Sequence, residues 1–176
     1  MEPLELYERA SEWTANLVRG ASDQLDAPTP CDDWNVRTLV SHIIDTQHYF
    51  AASARGEDAP LPNPNPPDLV GDDPAAAFDA TRDDTLRAFR EPADAEKAKM
   101  GVSIAFSDAL LHGWDLATAT GQDATMPDGL AEQAYEAIHG KFTDDQRKGI
   151  FKPEVAVPDD ASPQEKLLAY SGRAPS

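Results

Sequence analysis

One cysteine in 176 residues leaves no partner for an intramolecular disulfide, so the chain carries no mark of an oxidising compartment. Long apolar runs are missing as well, because Asp, Glu, Arg or His interrupts every stretch long enough to cross a bilayer. The opening Met1-Glu2-Pro3-Leu4-Glu5 lacks both the basic start and the apolar segment of an export signal, and the reading is a cytoplasmic protein. Basic residues are scarce, 15 against 32 acidic ones, for a formal charge of -17. Such a surface repels phosphate backbones and anionic headgroups, which argues against nucleic acid or a membrane as partner. The plain use of so many Asp and Glu residues is a solvated, solubilising surface.

What is present is helical periodicity. Leu6, Ala10, Trp13, Leu17, Ala21 and Leu25 recur at spacings of three and four behind Pro3, predicting a first helix from Pro3 to about Asp26. Asn35 can cap a second helix carrying Val36, Leu39, Val40, Ile43, Ile44, Phe50 and Ala54, with Gly56 as its stop. Six prolines between Pro60 and Pro74 forbid regular helix and read as an extended crossover. Asp73 and Pro74 restart helix, with Phe78, Leu86 and Phe89 as its apolar face, and a fourth helix is expected from about Gly101 to Thr120. Beyond it, Asp128 is the expected cap of a helix ending at Gly140. Residues 151–160 look extended, and Ser162-Pro163-Gln164-Glu165 is a capping box opening a last short helix. The fold class is all-α: a four-helix bundle with a long proline-rich crossover and short C-terminal helices. We read residues 1–176 as one domain, the bundle occupying about 3–121 and a C-terminal extension, about 122–176, packing on it.

Within the fourth helix, Asp108, His112 and Asp115 fall on one strip at i, i+4 and i+7, with Gly101, Ala105 and Ala119 along the same line. A carboxylate and an imidazole four residues apart can close on one metal ion. A third ligand must come from elsewhere, and His42 is the leading candidate, although periodicity sets it on the flank of helix two, where it would be exposed. Asp115 either orients His112 or is a helix-surface aspartate. Trp34 and Trp114 are expected at helix junctions, and His48 and His139 on the surface. Cys31 reads as a small buried thiol with no base beside it, not as a nucleophile.

The segments Pro28-Thr29-Pro30-Cys31-Asp32-Asp33-Trp34-Asn35-Val36-Arg37-Thr38-Leu39-Val40-Ser41-His42 and Asp108-Ala109-Leu110-Leu111-His112-Gly113-Trp114-Asp115-Leu116-Ala117 resemble DinB-like metal-binding proteins. The branch they resemble is the mycothiol-dependent maleylpyruvate isomerase N-terminal family, and residues 151–158 and 161–173 resemble it too. The resemblance implies a four-helix bundle with a divalent ion, zinc foremost and nickel or iron as alternatives, held at the positions of His42, Asp108 and His112. The family branch usually has Glu where this chain has Asp108, and the shorter arm draws the ion closer to the fourth helix or leaves a water between.

The full isomerase carries a further C-terminal domain, so the resemblance implies the metal-and-thiol theme but not a maleylpyruvate substrate. The function expected is that of an enzyme activating a low-molecular-weight thiol, mycothiol or similar, for transfer to, or isomerisation of, a small electrophile. Two other classes stay open: a non-catalytic bundle serving as binding or scaffold protein with structural or absent metal, and a metal-dependent hydrolase. A homodimer is compatible with all three.

Overall fold

The computed structural model describes residues 1–175. They fall into two compact units, Met1–Thr125 and a second from Met126 onward. The described residues contain seven helices and no strand, only an isolated bridge between Pro28 and Asn35. None of these helices is long and apolar enough to cross a membrane.

The first unit holds α1 (Pro3–Gly20), α2 (Val36–Ala54), α3 (Pro74–Arg90) and α4 (Ala95–Thr120). Thr14 Oγ1 of α1 donates to Ala109 O at 2.9 Å and Gln122 Nε2, just past α4, to Leu17 O at 2.9 Å, so α1 and α4 run parallel. His42 meets His112 while Phe50 lies against Gly101, so α2 is antiparallel to α4. Arg19 pairs with Asp79 and Arg90 with Glu8, making α3 antiparallel to α1. The two downward helices, α2 and α3, are consecutive and parallel, and a parallel pair needs a long connection. That is the physical reason for the proline-rich crossover. Its core is built from Leu17, Val18, Leu39, Val40, Ile43, Ile44, Phe78 and Leu116, all buried.

Side-chain caps set most starts. Asn35 accepts from Thr38 N, Asp73 from Ala76 N and Asp94 from Lys97 N. The Asp94 cap corrects the expected start of α4: the helix begins at Ala95 because the run 95–100 is rich in Ala, Glu, Lys and Met, good helix formers. The first helix is shorter than expected, ending at Gly20 and not near Asp26. There the Gln122 side chain fills the space beside Gly20 and closes the helix by bonding Leu17 O.

Prolines donate no N–H, so the crossover is pinned to α2 through its other residues. Asn63 N donates to Asp45 Oδ2 at 2.8 Å and Leu69 N to Ser41 Oγ at 3.1 Å. Arg37 pairs with Asp68 at 3.0 Å, and Trp34 Nε1 donates to Pro64 O at 3.2 Å. This strap runs along the line of Arg37, Ser41 and Asp45 on α2.

The second unit contains α5 (Leu130–Ile138), α6 (Asp144–Lys148) and α7 (Pro163–Tyr170). Gly129, with φ of 78°, takes the N-cap position of α5 and makes no side-chain bond, so Asp128 is not the cap expected of it. The five-residue α6 opens on a capping box at Thr143 and buries no residue. With no apolar face, it leaves no periodic signature. The Ser162 capping box opens α7 as expected. Arg147 lies 4.2 Å over the Tyr170 ring and donates to Tyr170 O, tying α6 to α7.

Candidate metal centre

Helix α4 approaches α1 closely at Gly113. A Cβ there would sit 2.5 Å from Trp13 Cζ3 and 3.0 Å from Thr14 Oγ1, so only glycine fits without a shift. This contact fixes the rotation of α4 and turns His112, the preceding residue, toward α2. Its partners on the same helix follow from the i, i+3 and i+4 geometry. His112 Nε2 lies 3.4 Å from Asp108 Oδ1, and His112 Nδ1 lies 3.1 Å from Asp115 Oδ2.

His42 reaches the same place from α2, its ring centroid 4.8 Å from that of His112 and steeply inclined at 77°. Contrary to its exposed position on the wheel, His42 is half-buried. Trp34 covers it with ring centroids 4.6 Å apart, and His112 closes the other side. Periodicity describes one helix and cannot register a loop tryptophan folded over its flank.

The structure therefore brings His42, Asp108 and His112 together, with donor atoms all within 4.8 Å of one another. Ligand distances of about 2.0–2.2 Å put tetrahedral donors about 3.3–3.6 Å apart, a spacing the His112–Asp108 edge already has. Two imidazoles and a carboxylate suit zinc, iron or nickel better than magnesium or calcium. His42 Nδ1 is buried with no hydrogen-bond partner among the described residues, an unsatisfied group of the kind that calls for an explanation. The side chains of Asp108 and His112 keep 26% and 14% of their surface open, so an exogenous ligand can reach the cluster.

The two imidazoles are driven to opposite charge states. Burial, helped by the neighbouring His112, holds the pKa of His42 down at about 3, leaving it neutral with lone pairs free. Burial pulls His112 down too, but the charge of Asp108, the hydrogen bond to Asp115 and the nearby Cys31 overcome it and push it up to about 10. A cation held by His112 would have to displace the proton that the imidazole carries near neutral pH.

Asp115 is buried, only 1% exposed, so the helix-surface alternative does not hold. Its Oδ2 faces His112 Nδ1 and also accepts from Cys31 Sγ at 3.1 Å. Cys31, Asp115 and His112 form a second trio of donors within 4.8 Å of one another. The expectation that Cys31 has no base beside it is thus corrected: a carboxylate and an imidazole lie next to it. The cause is the 28–35 loop. Cys31 N donates to Thr29 Oγ1 at 3.1 Å, and Thr29 Oγ1 donates to Trp34 O at 2.8 Å. Asp33 takes a positive φ of 26°. The Thr29-x-Cys31 turn was the signal available in the sequence. Trp114 is buried, while His48 and His139 are exposed and stand outside the cluster.

Comparison with known proteins gives a family match over residues 7–117, to the mycothiol maleylpyruvate isomerase N-terminal domain. The matched segment contains His42, Asp108 and His112. Two uncharacterised proteins of Mycobacterium tuberculosis, from strains CDC 1551 / Oshkosh and ATCC 25618 / H37Rv, are each 30% identical over 183 residues. Each alignment covers 98% of this chain and 98% of the relative. No solved structure matches the chain.

Proposed function

The chain belongs to the mycothiol maleylpyruvate isomerase N-terminal domain family, and from that premise we propose that it is a divalent-metal-dependent enzyme acting on a low-molecular-weight thiol of the mycothiol kind. The thiol is transferred to a small electrophile or used to isomerise it. The single observation that supports this reading most is the meeting of two imidazoles and one carboxylate from α2 and α4 within one 4.8 Å cluster.

In this reading His42, Asp108 and His112 hold the ion, zinc foremost, with iron or nickel as the other metals suited to the donors. When bound there, the cation supplies Lewis acidity that lets a thiol persist as its anion near neutral pH. The protein's own groups do the rest. Asp115 takes the Nδ1 hydrogen of His112 and so presents Nε2 to the cluster. Trp34, held by its bond to Pro64 O, covers His42 on one side, while the open fractions of Asp108 and His112 leave the other side to the substrate. The same reading has a small-molecule substrate, a cytoplasmic location and no nucleic acid or membrane partner.

The test is metal analysis of the purified protein, followed by mycothiol consumption with a chloronitroaromatic electrophile. One equivalent of divalent metal, lost in His42→Ala and in His112→Ala without loss of helical circular dichroism, supports the metal centre. Thiol consumption lost in the same variants supports the enzyme. Metal-free protein would instead favour a scaffold, and ester turnover without added thiol would favour a hydrolase.

A further inference from the structure

One carboxylate oxygen serves two donors here. Asp115 Oδ2 lies 3.1 Å from His112 Nδ1 and 3.1 Å from Cys31 Sγ. A buried carboxylate is stable only when its lone pairs are answered, and on this oxygen the thiol and the imidazole answer them together. The thiol is held in place by its own loop, through the bonds of Thr29 to Cys31 N and Trp34 O. The same loop supplies Trp34 against His42. The 28–35 segment thus touches both histidines, one through an aromatic face and the other through a hydrogen-bonded relay.

The geometry points to Cys31 as a positioning residue for His112, acting through Asp115: its S–H holds the carboxylate at the angle that aims His112 Nε2 at Asp108 and His42. This rests on the proposed metal centre for its consequence, but the relay itself is a property of the metal-free protein. Removing the thiol takes away one of the two donors on Asp115 Oδ2, and His112 is held less firmly in its orientation. Partners of this kind around metal-ligating histidines change metal affinity by about 10–100-fold when removed. A serine in place of Cys31 keeps a donor of nearly the same reach.

The experiment compares wild type, Cys31→Ala, Cys31→Ser, Asp115→Asn and Cys31→Ala/Asp115→Asn by zinc competition with a chromophoric chelator. The His112 ring nitrogens of the metal-free proteins are followed by NMR. Expected are a zinc affinity about 10-fold weaker in Cys31→Ala and restored to within about 3-fold in Cys31→Ser. Shifted His112 signals should accompany the loss in Cys31→Ala, with those of His48 and His139 unmoved. In the Asp115→Asn background the alanine is expected to cost less than it does alone, since the path through Asp115 is already cut.

Unchanged His112 signals in Cys31→Ala, or losses that simply add in the double variant, overturn the relay. So does a thiolate-to-cadmium absorption band in the cadmium-loaded protein, which would make Cys31 a direct ligand. Should Cys31→Ala fail to fold, the Cys31→Ser and Asp115→Asn spectra decide the matter: Asp115→Asn must move the His112 signals and Cys31→Ser must not. A wild type that takes up no zinc, but whose His112 signals move with Cys31, removes the metal reading and leaves the relay standing.

Discussion

Metal uptake is expected to depend on pH with a slope set by one histidine. In the metal-free protein His112 keeps its proton up to about pH 10 and His42 has none above about pH 3. At pH 7 the entering cation therefore expels one proton, and that proton comes from His112. With His112 about three pH units below its midpoint, expulsion costs about 4 kcal/mol of apparent binding energy, at 1.36 kcal/mol per unit. The apparent association constant should then rise about tenfold per pH unit from about pH 7 to pH 9, levelling near pH 10. Zinc competition titrations across that range measure the slope, and calorimetry in two buffers of different ionisation enthalpy counts the proton. Asp115→Asn, which removes one of the causes of the raised value, should bring the plateau to lower pH. A flat affinity between pH 7 and pH 9, with no proton released, would refute the charge assignment of the two histidines.

Gly113→Ala should be destabilising despite alanine's better helix propensity. Overpacking against Trp13 and Thr14 costs about 1–3 kcal/mol against a gain of about 1 kcal/mol, and a raised urea midpoint would contradict this. Asn35→Ala removes the acceptor for Thr38 N, 2.9 Å away, and should lower stability by about 1 kcal/mol in urea unfolding; no measurable change would mean the cap is idle. Metal-free stability should peak near pH 6.5. Below it the unfolded chain protonates His42 while the folded one refuses until about pH 3, so stability falls as pH drops. Above it the folded chain retains the His112 proton that the unfolded chain has lost, so stability falls steadily as pH rises and this contribution is gone once His112 itself titrates near pH 10. Urea midpoints across pH check both limbs, and His42→Gln should flatten the acid one.

The family and the all-α bundle were readable in the chain, because both are carried by local features. Asn35, Asp73 and Ser162 announce helix starts through a side chain that bonds within three residues. The single face of α4 carrying Asp108, His112 and Asp115 follows from helix geometry alone. What escaped depends on distant chain segments. His42 looks exposed on its own helix and is covered only by Trp34 and α4. Cys31 gains Asp115 as neighbour across 84 residues of sequence. Asp128 had the right side chain to cap α5, but the left-handed Gly129 beside it took that place. The end of α1 was overrun because Leu25 continues the apolar spacing, while Gln122, which closes the helix at Leu17, comes from the far end of α4.

The most direct test of the metal centre is anomalous diffraction from crystals of the zinc-loaded protein, recorded on both sides of the zinc absorption edge. A single strong peak about 2.0–2.2 Å from a nitrogen of His42, a nitrogen of His112 and an oxygen of Asp108 is the expected result. No peak among these three side chains, or one held by Cys31 and Asp115 in their stead, would contradict it.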